Sequence, residues 1–188
     1  MGSTSEAETG LRSDAQANYA RILSAATRVI DREGPDAPLT TIAAEASVGI
    51  ATLYRRFPTR GHLIEAVYRH RITTLCDSTA EILAAAPTPE AALETWMSRY
   101  MELLITNRAV PDAIRQVLLA DPEFRNESKE NLTSALESLL DTGRRTHQIR
   151  SDFDSGTVLR TLTGIGFVSE TSDQTRQPLE LVMAGLRA

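Results

Sequence analysis

Apolar residues recur three and four positions apart along nearly the whole chain, and proline or glycine interrupts that pattern at short intervals. No stretch of useful length alternates apolar and polar residues, as a half-buried strand would require. The chain is therefore constrained to an all-α fold of about nine helices. The first helix is expected from Asp14 to Glu33, with Ile22, Leu23, Ala26, Val29 and Ile30 on one face, and Gly34-Pro35 ends it. Thr40 is expected to cap a short helix running to Ala46. A break at Ser47-Val48-Gly49 leads into a second short helix, Ile50 to Phe57, which Pro58 stops. Thr59 is expected to cap a helix carrying Leu63, Ile64, Val67 and Ile72 and continuing to about Leu83.

After the break at Ala86–Pro89 a long helix carries Leu93, Trp96, Met97, Tyr100 and Leu104 on one face. Pro111 is expected to open a further short helix. Asp121-Pro122 is a start signal, a cap followed by proline at the first helical position, for a helix reaching about Arg145. The segment from His147 to Asp154 reads as irregular. A helix over Ser155 to Val168, a polar loop from Glu170 to Gln177 and a last helix from Pro178 complete the reading.

The chain has 188 residues, of which 41% are hydrophobic, so it can bury a substantial core. Residues 1–13 are expected as a disordered tail, because the first ten are small, polar and acidic. Cys76 is the only cysteine, so no internal disulfide forms, which suits a reducing cytoplasm. No apolar run approaches a membrane span and no signal-peptide pattern appears, so no membrane association is expected.

The net charge is −5, but its distribution is uneven. Between Leu11 and Arg71 there are nine arginines against six acidic residues, and the remainder of the chain is acidic. That asymmetry points to nucleic-acid contact by one end only.

The segment Thr40–Phe57, TTIAAEASVGIATLYRRF, carries the sharpest signal. Two short helices joined by a tight turn match a helix-turn-helix unit. Ala43 is small where the second helix crosses the first, and Ile42, Val48, Leu53 and Phe57 are placed to face inward. Thr52, Tyr54, Arg55 and Arg56 then point outward. Arginine can donate two hydrogen bonds to guanine in the major groove, and Thr and Tyr can reach phosphates or bases. Ile50 and Ala51 are placed to touch thymine methyl groups. A plain helical hairpin with a solvated arginine face is the alternative reading of the same pattern.

From Ile22 through this segment to PTRGHLIEAVY, the chain resembles the N-terminal domain of the TetR family of repressors. The resemblance implies that residues 14–59 form a three-helix DNA-binding domain and residues 60–188 a helical domain for ligand binding and dimerisation. It also implies that Thr40 and Thr41 meet the phosphate backbone, that Thr52, Tyr54, Arg55 and Arg56 face the groove, and that Arg60 binds phosphate at a helix start. Two departures stand out: Ser47 occupies a turn position that is usually glycine, and the arm before the first helix, with Gln16 and Asn18, is less basic than in many relatives.

For a ligand pocket the candidates are Arg71, Trp96, Met97, Tyr100, Leu104, Phe124, Leu136 and Leu140, with Asn107, Arg115, Gln116 and Thr163 as further polar groups. An apolar stripe at helical spacing is equally a description of ordinary core. In the family the last two helices form a four-helix dimer bundle, which implies Leu159, Leu162, Gly166, Leu179, Val182 and Leu186 as interface residues; the alternative is intrachain core. A dimer is also expected because one recognition helix reads only a few base pairs. The implied partners are a double-stranded DNA operator, a small-molecule effector and a second copy of the chain; no cofactor is implied. Repression is the family default. An enzyme is not indicated: His62 and His70 are eight positions apart and with His147 and Cys76 make no ligand spacing, and no phosphate loop or nucleophile elbow occurs. A ligand-binding or scaffold protein without DNA binding is the alternative.

Overall fold

The computed structural model describes the backbone of residues 3–106 and 121–188, with side chains from residue 16 onward within those spans. Among the described residues there are nine helices: α1 (Ser3–Glu33), α2 (Leu39–Glu45), α3 (Ile50–Arg56), α4 (Arg60–Asp77), α5 (Thr79–Ala85), α6 (Pro89–Thr106), α7 (Pro122–Arg145), α8 (Ser155–Val168) and α9 (Ser172–Leu186). The only extended pairing among them is an isolated bridge between Ile149 and Arg187. The helix expected after Pro111, and Asn107, Arg115 and Gln116, lie outside the described residues. The all-α expectation holds.

The chain divides into two compact units, Met1–His70 and Arg71–Ala188. The division falls inside α4, whereas the resemblance implied a boundary after Thr59. The reason lies in the first turns of α4: Leu63, Ile64 and Val67 are buried, and they belong to the first unit together with α1, α2 and α3.

In the first unit, Ile22, Ala25, Ala26 and Val29 form the buried face of α1, against which α2 packs. The helix reaches back to Ser3, through the segment expected as a disordered tail. No proline interrupts that stretch, so helix nucleated by the packed part can propagate backwards one hydrogen bond per residue. α2 begins one residue before the expected cap. Pro38, not Thr40, supplies the first helical carbonyl, accepting from Thr41 N at 3.0 Å, and no side chain caps the helix. At α4 the expected cap does form: Thr59 Oγ1 accepts from His62 N at 3.3 Å and lies 2.7 Å from His62 Nδ1.

In the second unit α6 is the central element, packed against α5, α7, α8 and α9. Trp96 and Met97 on α6 are fully buried, as are Leu136, Leu139 and Leu140 on α7. Asp121 caps α7, accepting from Glu123 N at 3.0 Å and Phe124 N at 3.3 Å, with Pro122 next to it as expected. The expected continuation of α4 to Leu83 is broken at Ser78, whose Oγ donates to Leu75 O at 2.9 Å; a side-chain bond of this kind competes with the helical ladder. α9 starts at Ser172, so the expected polar loop is largely helical and Pro178 sits inside the helix. Local bonds support that early turn, including Thr175 Oγ1 to Ser172 O at 2.7 Å.

Candidate nucleic-acid interface

The turn between α2 and α3 is built on backbone bonds. Ser47 N donates to Ala44 O at 3.0 Å and Val48 N to Ala43 O at 3.0 Å. This is a Schellman closure, which places its first residue past the cap in the left-handed region. Ser47 accordingly has φ 54°, the strain that serine at this position implied. Gly49 then starts α3, accepting from Thr52 N at 2.9 Å. Ile42, Ala43, Leu53 and Phe57 are buried as expected, and Val48 is half-buried. With Leu53 and Phe57 turned inward, helical geometry directs the intervening residues outward.

The outward face matches the expected reading residues. Tyr54 is 50% exposed and Ile50 38% exposed; Ala51, Arg55 and Arg56 are exposed and Thr52 is half-buried. On α2, Thr40 is exposed and Thr41 half-buried. Arg60, expected at a phosphate, is engaged within the chain. Its Nη1 donates to Pro35 O at 2.7 Å and to Ala37 O at 2.8 Å, because the loop between α1 and α2 leaves those carbonyls without helical partners. It therefore ties that loop to the start of α4. Glu45 links α2 to α1 through Arg28 at 2.8 Å and Arg32 at 3.1 Å. The hydrogen bond from Arg28, and then that from Arg32, hold the Glu45 carboxyl below its ordinary range.

Tyr19 is a participant that the sequence reading missed. Its ring stacks on Phe57, with centroids 5.5 Å apart, and the Arg56 guanidinium lies 4.5 Å from the ring centroid. The available signal was its position three residues before Ile22, on the same face of α1.

Two family descriptions match the chain. Bacterial regulatory proteins of the tetR family match residues 22–67, and the C-terminal domain of SbtR-like transcriptional regulators matches residues 88–188. The chain belongs to the TetR family of transcriptional regulators. A TetR regulator from Streptomyces coelicolor is 42% identical, with 89% of this chain and 97% of that one covered at a TM-score of 0.74. A TetR regulatory protein from Mycobacterium vanbaalenii is 27% identical, covering 95% and 99% at 0.70. FadR of Bacillus subtilis, in complex with stearoyl-CoA, shares the fold at 19% identity, 90% and 100% coverage and 0.55. As a TetR-family member the chain is a transcriptional regulator with an N-terminal helix-turn-helix DNA-binding domain, in a family of regulators rather than enzymes. No helix among the described residues is long and apolar enough to cross a membrane.

In the helical domain of this TetR regulator, most of the expected pocket residues are buried among the described residues. Trp96, Met97, Tyr100, Phe124, Leu136 and Leu140 are buried, and Leu104 and Arg71 are half-buried. Trp96 stacks on Tyr100 at 5.6 Å, and Tyr100 Oη lies 2.9 Å from Thr163 Oγ1. None of these lines the groove of about 440 Å³ that the domain does present. That groove is lined from α4 and α5 by Thr73, Cys76, Asp77, Thr79, Ala80 and Leu83, and from α7 by Asn131, Ser134, Ala135 and Ser138. Burial and the neighbouring Asp77 push the Cys76 thiol up to about 11, so it stays protonated at neutral pH. Asn131, Ser134 and Ser138 lie three and four positions apart, on one face of α7.

The residues expected at a dimer interface are mostly packed within the chain. Leu159, Leu162, Leu179 and Leu186 are buried within the chain, Gly166 is buried, and Val182 is half-buried. A Cβ on Gly166 would collide with the Leu104 side chain, so this glycine serves the approach of α8 to α6. The apolar residues that α8 and α9 leave in solvent are Phe167, Val168 and Leu181, exposed by 77%, 77% and 75%.

Proposed function

We propose that this chain is a ligand-responsive repressor that binds a palindromic operator as a homodimer and is released from it by a small molecule. The observation that carries the reading is α3: Leu53 and Phe57 anchor it in the first unit, while Tyr54, Arg55 and Ile50 stand in solvent. A short helix held this way can enter the major groove and present arginine to base edges. A second copy supplies the other half-site, and the exposed Phe167, Val168 and Leu181 are the surface offered for it. Acting on DNA, the protein works in the cytoplasm.

The groove between α4, α5 and α7 of the helical domain is the site proposed for the effector. Its lining is mixed, with Leu83, Ala80 and Ala135 beside hydroxyls, one amide and one carboxylate, so it can take a ligand with both apolar and polar parts. The effector acts by binding more tightly to the conformer that does not fit adjacent grooves, and releases DNA only to the extent of that difference.

A mobility-shift assay with the DNA upstream of the protein's own gene tests the reading. Wild type should bind, with affinity falling steeply as salt rises. Replacing Tyr54 and Arg55 by alanine should weaken operator binding by about 1–3 kcal/mol for each base edge no longer read. Absence of salt-sensitive binding to any promoter fragment would instead favour a helical ligand-binding protein without DNA binding.

A further inference from the structure

We propose that Tyr19 of α1 is a positioning residue for DNA binding: its ring holds Arg56 for a backbone phosphate, which divides the labour of the two adjacent arginines and leaves base reading to Arg55. The inference rests on the DNA-binding reading above and goes beyond it.

The Tyr19 ring is fixed before DNA arrives. It stacks on Phe57 with an interplanar angle of 25°, and Phe57 is only 4% exposed. Tyr19 itself is half-buried and precedes the buried Ile22 and Leu23 on α1. The Arg56 guanidinium carbon lies 4.5 Å from the ring centroid, within the range of a cation–π contact. Such a contact holds the guanidinium by its charge and leaves N–H groups to donate to an acceptor. Among the described residues Arg55 has no ion pair or ring contact, so it keeps the conformational freedom to seek a base edge.

This geometry directs Arg56 away from base reading. Its side chain is drawn toward α1, on the flank of the recognition helix. A charged edge on that flank meets the sugar-phosphate backbone, whose contacts position a protein without reading sequence. Preordering also matters. A free arginine loses rotamer freedom when it binds, and one already resting on a ring loses less. Tyr19 lies outside the matched family region of residues 22–67; its role emerges only from the packing of α1 against the end of α3.

The test compares wild type with Tyr19→Ala, Tyr19→Phe, Arg56→Ala and the Tyr19→Ala/Arg56→Ala double variant. Each is titrated by fluorescence anisotropy with the promoter fragment that wild type binds and with a random duplex of equal length, across a range of sodium chloride. Tyr19→Ala should weaken binding to both duplexes about threefold to tenfold, leaving their ratio unchanged. Its salt slope should fall by about one, as when one fewer phosphate is neutralised. Tyr19→Phe, which keeps the ring face, should match wild type, and the double variant should bind no more weakly than Arg56→Ala alone. Weakening confined to the promoter fragment, an equal Tyr19→Ala effect in the Arg56→Ala background, or failure of Tyr19→Phe to match wild type would overturn the proposal. A DNA-free readout separates it from the functional reading. In NMR spectra the Arg56 Hδ resonances should be shifted upfield by the ring and should move downfield in Tyr19→Leu, which keeps an apolar side chain on α1. Unchanged Arg56 resonances would overturn the proposal; wild type that binds no DNA would overturn the functional reading while this arm still judges the platform.

Discussion

Replacing Ser47 by glycine should stabilise the DNA-binding unit. Ser47 is exposed and has φ 54°, a conformation that costs an L-residue about 1–2 kcal/mol. Glycine removes that cost. It also gains freedom in the unfolded chain, which offsets about 0.4–1 kcal/mol. The serine hydroxyl has no hydrogen-bond partner among the described residues, so its removal costs nothing further, and the net expectation is a gain of about 0.5–1 kcal/mol. Ser47→Ala is the control, because it removes the hydroxyl but keeps the Cβ that strains the turn; it should gain nothing. Gly34 supplies the opposite sign. Its φ is 87°, and a Cβ there would meet nothing within 4 Å, so Gly34→Ala should lose about 1–2 kcal/mol from backbone strain alone. Because the chain has two units, a single thermal midpoint would mix them. Amide hydrogen exchange read residue by residue on α1, α2 and α3 isolates the relevant free energy. The Val48 amide, bonded to Ala43 O in this turn, is the most direct reporter. Slower exchange in Ser47→Gly than in Ser47→Ala is expected. Equal rates in the two variants would refute the claim that the left-handed backbone is the source of strain.

Two further predictions concern other parts of the molecule. Phe167 is 77% exposed, and full burial of such a side chain is worth about 1.5–3 kcal/mol, counted twice in a symmetric pair. Phe167→Asp should therefore weaken self-association by about a hundredfold or more in analytical ultracentrifugation while leaving helix content intact; an unchanged association constant would show that this face is not the interface. Glu45 is held below its ordinary pKa by Arg28 and then Arg32, so its contribution is present above the unfolded carboxylate value and is lost as pH falls through the lower folded value. The urea midpoint of Glu45→Gln should lie below that of wild type at neutral pH and converge with it in acid; a gap that stays constant with pH would refute the role given to the ion pairs.

The DNA-binding unit was legible because its signals are local. Gly34-Pro35, Pro58 and the Ser47–Gly49 break punctuate the chain on the scale of a few residues. Leu53 and Phe57, four apart, fix which way α3 faces, and with it the exposure of Tyr54 and Arg55. What escaped was set by partners distant in sequence. The carbonyls of Pro35 and Ala37, more than twenty positions away, hold Arg60 Nη1. The place of Tyr19 depends on Phe57 and Arg56, which meet its ring from across the unit. Even Ser172–Gln177 was misread as loop, because its polar composition outweighed local bonds such as that from Thr175 to Ser172.

The helical domain shows the deeper reason. Periodicity marks a buried face but does not say what buries it. Leu159, Leu162 and Gly166 satisfy the spacing of an interface and of a core equally well, and here α6 of the same chain covers them, with Leu104 pressed on Gly166. The residues that discriminate are the ones the spacing leaves over. Phe167 and Val168 fall off the buried face of α8, as Leu181 does on α9, and all three stand in solvent. A helix covered once by its own chain and still apolar on a second face has a second surface to cover. On the proposed homodimer, that excess is the surface left for a second copy, and it is visible only once the first partner of each face is known.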